Sequence, residues 1–256
     1  MIAKLDTAMW FLQRPTHWRH AADIARRKWR LDHDGPAEAS RARGWAAERA
    51  VPLADVLTTM GLATAETALP RLPASLIEEA QDRATRSLVK MGGAGDVNLL
   101  YAATILSGAR RIVETGVAYG WSSLAILAAI DGQEGARLVS VDMPYPKMNN
   151  EAFVGIVVPD RFRRSWDLIR EPDRPGLKKA IAKAGGTIDL CHYDSDKSWW
   201  GRQYGYPLLW AALRPGGIFI SDDIQDNMAF ADFAAEHQLS FSVTEYGGKY
   251  IGVIRK

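Results

Sequence analysis

Two apolar runs of strand length end in carboxylates: Ile188-Asp-Leu-Cys-His-Tyr-Asp194 and Gly217-Ile-Phe-Ile-Ser-Asp222-Asp223. The stretch between them, Trp199–Leu213, reads as a helix. Strands that alternate with helices imply a mostly parallel sheet covered on both faces. Side by side, these two strands would bring Asp194, Asp222 and Asp223 to one edge of that sheet, with Lys197 close by. Converged carboxylates repel one another and need a cation or a proton to relieve them. The pattern therefore predicts a metal-assisted reaction site.

The alternation extends in both directions. Upstream it predicts a helix at Val97–Leu106, a strand at Arg111–Thr115, a helix at Ser122–Ile130 and a strand at Leu138–Asp142. A strand near Trp166–Ile169 and a helix at Leu177–Ala184 follow. Downstream come a helix at Ala229–His237 and two strands, Ser240–Glu245 and Tyr250–Ile254, paired antiparallel through Gly247-Gly248. The expected architecture is α/β, a doubly wound, mostly parallel, seven-stranded sheet. Residues 1–90 read as short helices punctuated by Pro15, Gly35-Pro36, Pro52, Gly61 and Pro70–Pro73, so they form an N-terminal helical extension to a domain at 91–256. With 47% hydrophobic residues the chain can bury a substantial core. The single cysteine, Cys191, excludes an intramolecular disulfide and reads as a small core residue. No apolar run has membrane-spanning length and no signal-peptide pattern is visible, so the expected location is cytoplasmic.

After the strand Arg111–Thr115, Gly116 and Gly120 frame a turn, and Ser122-Ser123 can cap the next helix. Glycines let a ligand approach the backbone. Asp142, ending the next strand, can accept hydrogen bonds from both hydroxyls of a ribose. The Gly-x-x-x-Gly spacing is not that of a dinucleotide loop, which favours a nucleoside without a pyrophosphate. Glu114, a carboxylate at a buried strand end, needs a partner, and a cationic amino-acid group would supply one.

Glu114-Thr-Gly-Val-Ala-Tyr-Gly-Trp-Ser122 and Val139-Ser-Val-Asp142 resemble the first motif and the ribose-binding motif of class I S-adenosylmethionine-dependent methyltransferases. Asp194-Ser-Asp-Lys197 with Asp222-Asp223 is similar to the catechol-type O-methyltransferase pattern, and the wider texture to bacterial glycan and secondary-metabolite methyltransferases. The resemblance covers roughly residues 90–256 and implies a Rossmann-like methyltransferase fold. It implies that Glu114, Gly116, Ala118, Tyr119, Gly120, Ser122, Asp142 and Asp194 bind S-adenosyl-L-methionine. It also implies that Asp194, Asp222 and Asp223 hold a divalent cation, Mg²⁺ by preference with Ca²⁺ or Mn²⁺ as options. Lys197 becomes the candidate base, its pKa lowered by the ion. Two departures matter: Asp223 stands where the pattern has Asn, and His192 lies two residues before Asp194. A metal-independent reaction with Lys197, His192 or an aspartate as base is therefore the alternative.

Around the site, Asp194 and Asp196 are candidate N-caps of the helix beginning near Ser198, with Asp196 the better one. Trp199 and Trp200 are candidate stacking surfaces for an adenine or a sugar, and Trp210 a packing residue. Asn227 can orient the acceptor or cap the following helix. The segment 143–164, with Trp166, is expected to shape an acceptor pocket for a small molecule or a glycan. Competing readings are another enzyme class on a similar sheet and a non-catalytic binding module. Residues 1–30 carry seven basic and two acidic side chains, +5, leaving −3 for the rest of a chain whose total is +2. The body offers no extended basic face, so nucleic acid is not an expected partner. The arm, which also holds Trp10, Phe11, Trp18 and Trp29, either packs on the body or a second subunit or docks on an anionic membrane or glycan. A homodimer and a peripheral membrane contact are its two candidate assemblies.

Overall fold

The computed structural model describes Thr7 and residues 9–27, 33–145 and 149–256. Lys4, Lys28, Trp29, Arg30 and Lys147 lie outside the described residues. Helical residues 9–12 and a 3₁₀ turn (Pro15–His17) lead into α1 (Trp18–Arg27), α2 (Pro36–Ala47), α3 (Leu53–Thr59) and α4 (Ala74–Thr85). The alternating part then runs α5 (Val97–Ser107), β1 (Arg111–Thr115), α6 (Trp121–Ala129), β2 (Arg137–Val141), β3 (Trp166–Ile169), α7 (Asp173–Lys183), β4 (Ile188–Tyr193), α8 (Trp199–Ala212), β5 (Leu213–Ser221), α9 (Ala229–Glu236), β6 (Phe241–Tyr246) and β7 (Lys249–Arg255).

The seven strands form one sheet in the order β3-β2-β1-β4-β5-β7-β6. The first five are mutually parallel, and β7 runs antiparallel to both β5 and β6. Side chains alternate between two covered faces. Ile112, Leu190 and Ile218 join a cluster with α5, α6 and the N-terminal residues Val56, Leu57 and Leu72. Val113, Cys191 and Phe219 point the other way, into a cluster with α7, α8 and α9. The N-terminal helices thus share a core with the sheet. Their chain also touches its far edge, where Val51 N donates to Val243 O. That contact covers part of an edge strand that would otherwise offer unpaired backbone groups.

Two boundaries differ from the sequence expectation by more than one residue. The helix expected at Leu177 begins at Asp173, because Pro175 falls in its first turn, where a missing N–H costs nothing. The strand expected at Gly217 begins at Leu213, since Gly216 at φ 76° and a register shift between Ile188 and Leu190 carry the pairing through a bulge.

Strand order reverses between β1 and β4, and in such sheets ligands bind beyond the carboxyl ends at the reversal. Register sets which residues meet there. Gly116 N donates to Val141 O at 2.8 Å, Asp142 N to Ile169 O at 3.0 Å, Asp194 N to Thr115 O at 2.9 Å and Asp222 N to Tyr193 O at 3.0 Å. Each residue is the first past its strand, so Gly116, Asp142, Asp194 and Asp222 stand in one row.

Candidate functional site

A cavity of about 760 Å³ opens over Gly116, Asp142 and Asp194 of this row, while Asp222 and Asp223 do not line it. Gly116–Ala118 and Asp142 line one side, and Asp194–Lys197, Trp200 and Tyr204 the other. The arm contributes Thr7, Phe11, Asp23 and Ile24, with Asp23 held 2.6 Å from the Arg174 Nε. Met143, Tyr145 and Asn150 also line it, which puts part of the segment after β2 at the pocket. Five lining aspartates, Asp23, Asp142, Asp173, Asp194 and Asp196, stand against Arg174 and Lys197.

The floor is shaped by glycine. Gly116 adopts φ 80°, and a Cβ there would lie 2.3 Å from the Asp194 carbonyl oxygen. Gly116→Ala is expected to destabilise the fold by about 1–3 kcal/mol through the left-handed backbone alone, read as a lower unfolding midpoint. Gly120, at φ 91°, precedes α6. It is Gly120, not Ser122, that stands at the N-cap of α6, and Ser122 does not line the cavity. Tyr119 acts from behind. Its hydroxyl donates to Val89 O at 2.6 Å and accepts from Met91 N at 3.2 Å, which fixes the segment whose Met91 and Gly92 reach the cavity.

Asp142 holds the loop as well as facing the cavity. Its Oδ1 accepts from Val117 N at 2.9 Å. The Arg170 guanidinium pairs with its other oxygen, donates to its carbonyl at 2.9 Å and reaches Glu151 Oε1 at 2.7 Å. Burial raises the Asp142 pKa, and the bonds from Val117 and Arg170 oppose that. Arg170 was not singled out from the sequence, although it follows β3 by one residue just as Asp142 follows β2.

Glu114 finds its partner inside the fold, not in a ligand. It is fully buried, with Oε2 accepting from Ser123 Oγ at 2.5 Å and Ser140 Oγ at 2.7 Å, and it does not line the cavity. Its Oε1 lies 3.5 Å from His192 Nδ1, and His192 Nε2 lies 3.4 Å from Asp222 Oδ1. Burial alone would lower the imidazole pKa, but the carboxylates of Asp222 and Glu114 hold it up at about 10. The two acids therefore favour the imidazolium form of His192, a setting unlike that of a free base.

Lys197 is likewise held by carboxylates. Its ammonium stands 3.2 Å from Asp194 Oδ1 and in contact with Asp223 Oδ2. Burial disfavours the charge, yet Asp194 and Asp223 outweigh it and move the pKa up. Asp223 also pairs with Lys249 at 3.1 Å. Although burial alone would raise its pKa, Lys197, Gln225 and Lys249 bring it down to about 2. Asp194 differs. Burial and then Asp222 push its carboxyl up to about 6, against the pull of Lys197 and His192. Its Oδ1 is buried, with the Lys197 ammonium 3.2 Å away.

The expected ligand set for a divalent ion does not fit this arrangement. The cation standing between Asp194 and Asp223 is Lys197, Asp223 carries a second lysine, and Asp222 faces an imidazolium. Among the described residues, no group of three or more acids, histidines or cysteines is arranged to hold a metal.

Other expectations sort by contact. Ser198, not Asp196, caps α8, with Oγ accepting from Gly201 N at 3.0 Å; Asp196 Oδ1 accepts from Ser198 N instead. Trp200 and Tyr204 reach the cavity. Trp199 is already stacked on His33 at 4.1 Å, and Trp210 packs on Phe219 and Phe233. Trp166 donates to Ser140 Oγ at 2.9 Å, away from the cavity lining. Asn227 braces the site: Oδ1 accepts from Ala229 N at 3.2 Å while Nδ2 donates to Lys197 O and Asp34 Oδ1, both at 2.9 Å.

Residues 113–224 match the family model described as a methyltransferase domain. No protein of curated function matches the chain. Among solved structures, an O-methyltransferase from Bacillus cereus in complex with SAH is similar, at TM-score 0.57 and 18% identity over 74% of this chain and 94% of that one. The O-methyltransferase TomG from Streptomyces achromogenes, involved in tomaymycin synthesis and complexed with SAM, gives TM-score 0.52 and 17% identity over 73% and 91%. The SAH-bound Podospora anserina methyltransferase PaMTH1 gives 0.52 and 17% over 73% and 90%. At these identities the likeness is one of fold.

Proposed function

We infer that this chain, a Rossmann-like methyltransferase fold with a methyltransferase domain at 113–224, is a class I S-adenosylmethionine-dependent O-methyltransferase. Its acceptor is read as a hydroxyl of a small molecule or sugar. The observation that carries the reading is the acid row at the β1/β4 reversal facing a cavity lined by five aspartates and two cations. Such a lining suits a ligand of positive charge. When bound, S-adenosylmethionine supplies an electrophilic methyl group on a sulfonium. The backbone of Gly116–Ala118 offers the close approach such a ligand needs, and Asp142 the acceptor oxygens for ribose hydroxyls.

Methyl transfer to oxygen forms an O–C bond, breaks an S–C bond and releases the hydroxyl proton. Asp194 is the group we assign to take that proton. Its pKa of about 6 leaves it ionised at neutral pH yet basic enough to accept a proton, and it lines the cavity beside Gly116 and Lys197. Lys197 stays charged beside it and stabilises negative charge developing on the acceptor oxygen. His192 and Glu114 hold Asp222 and the strand ends in place. No step is routed through a metal ion. Turnover is accordingly expected to persist in excess EDTA. Loss of activity in EDTA, restored by Mg²⁺, would mean that Lys197 gives way to an ion and that the catechol-type ligand set operates.

The deciding experiment is calorimetric titration of S-adenosylhomocysteine, with NAD in parallel. One-site binding of the first and none of the second is expected. Asp142→Ala should weaken that binding roughly tenfold, the loss of a strong hydrogen-bond pair. Binding of NAD without S-adenosylhomocysteine would put the chain in another enzyme class on the same sheet. If S-adenosylhomocysteine binds but neither sugar nor small-molecule hydroxyls are methylated, the cofactor-retaining binding module becomes the better reading.

A further inference from the structure

We propose that the outward face of the N-terminal arm docks on an anionic lipid surface. The arm is two-sided. Phe11, Asp23 and Ile24 face inward and line the cavity. Met9, Leu12 and Trp18 face away from it and are 52%, 62% and 53% exposed. They are half of the large hydrophobic side chains left exposed among the described residues, and they lie within ten residues of one another. Met9 and Leu12, three apart on one helical turn, share a side. The Trp18 indole donates to Phe11 O at 3.0 Å, which ties its ring to the turn that carries Met9 and Leu12. The arm thus exposes three large apolar side chains close in sequence, one of them a tryptophan, a side chain suited to a boundary between water and hydrocarbon.

Charge selects the occupant. Residues 1–30 carry net +5 and the rest of the chain −3. Arg19 is exposed on this arm, and Arg14 lies over the Trp10 ring with its carbon 4.3 Å from the centroid. A second copy meeting this arm by symmetry would set like-charged segments against each other. An anionic leaflet would neutralise the same charge while taking up the apolar side chains. The contact is peripheral: no described helix is long and apolar enough to cross a membrane.

The test is co-sedimentation of the full chain with vesicles of phosphatidylcholine alone and of equimolar phosphatidylcholine and phosphatidylglycerol. The protein should pellet with the mixed vesicles and not with the neutral ones, and less so at raised salt. Leu12→Glu/Trp18→Glu should cut binding roughly tenfold or more, with S-adenosylhomocysteine binding and the unfolding midpoint unchanged. Should that double variant unfold, Met9→Glu gives the same reading from the other end of the patch. No pelleting with either vesicle, equal pelleting with both, or equal pelleting of wild type and variant overturns the proposal. So does a concentration-dependent dimer in light scattering that the double variant abolishes, since the face would then belong to a second copy.

Discussion

Asp194→Asn is expected to lower kcat by ~10²–10⁴-fold, the usual contribution of a positioned base, while S-adenosylhomocysteine affinity changes little. The amide keeps the shape and removes the proton acceptor. The sign of the pH dependence follows from the carboxyl's raised pKa. Burial comes first among the causes, then Asp222, and the balance sits at about 6. The reactive form is the ionised one, so kcat/KM should climb as pH rises through about 6 and level off above it. Lys197→Met sharpens the test. Removing the ammonium 3.2 Å away takes away a charge that favours the carboxylate, so the climbing limb should move to higher pH and kcat should fall with it. An Asp194→Asn enzyme with wild-type kcat, or a limb that ignores Lys197, would remove Asp194 from the mechanism. An acceptor already ionised in solution would bypass the base, which makes comparison of acidic and weakly acidic hydroxyls a useful control.

The second large effect is on stability. Glu114→Leu keeps the bulk at a fully buried position and strips His192 of one of its two carboxylates. Leaving a buried charge half-compensated costs about 3–5 kcal/mol, visible as a lower urea midpoint at neutral pH. The pH dependence has a definite direction. In the fold the imidazole pKa stands near 10, against an ordinary value of 6.5. A raised pKa of a basic group adds stability that is fully present below 6.5 and fades as pH climbs through about 10. The gap between wild type and Glu114→Leu should therefore narrow steadily between those limits. A gap independent of pH would mean that the cost comes from packing or from the orphaned Ser123 and Ser140 hydroxyls.

Much of this was legible in the chain. Strand ends followed by acids are a local signal, and register then fixed Gly116, Asp142, Asp194 and Asp222 into one row. Cys191 in the core followed from its place in an apolar strand. What could not be read were partners brought from far along the chain. Arg170 on Asp142, Lys249 on Asp223 and Asp34 on Asn227 are contacts of tertiary origin. They changed the chemistry. Spacing shows that acids share a sheet edge, but not which cation stands among them. Asp194 and Asp223 raise the Lys197 pKa, where a bound ion would lower it. Glu114 was assigned to a ligand because Ser140 and His192, on the two flanking strands, were not counted as its partners. Trp199 was lost to His33, a residue 166 positions earlier on the arm.

The acidic lining of the cavity has a consequence for turnover. On the proposed reaction a cation enters and a neutral sulfide remains once the methyl group has left. A wall of five carboxylates and two cations grips the first and loses most of its hold on the second. The chemical step would then discharge the pocket and loosen its own product. The enzyme would tell spent donor from fresh by charge alone, a preference that should shrink as added salt screens the wall.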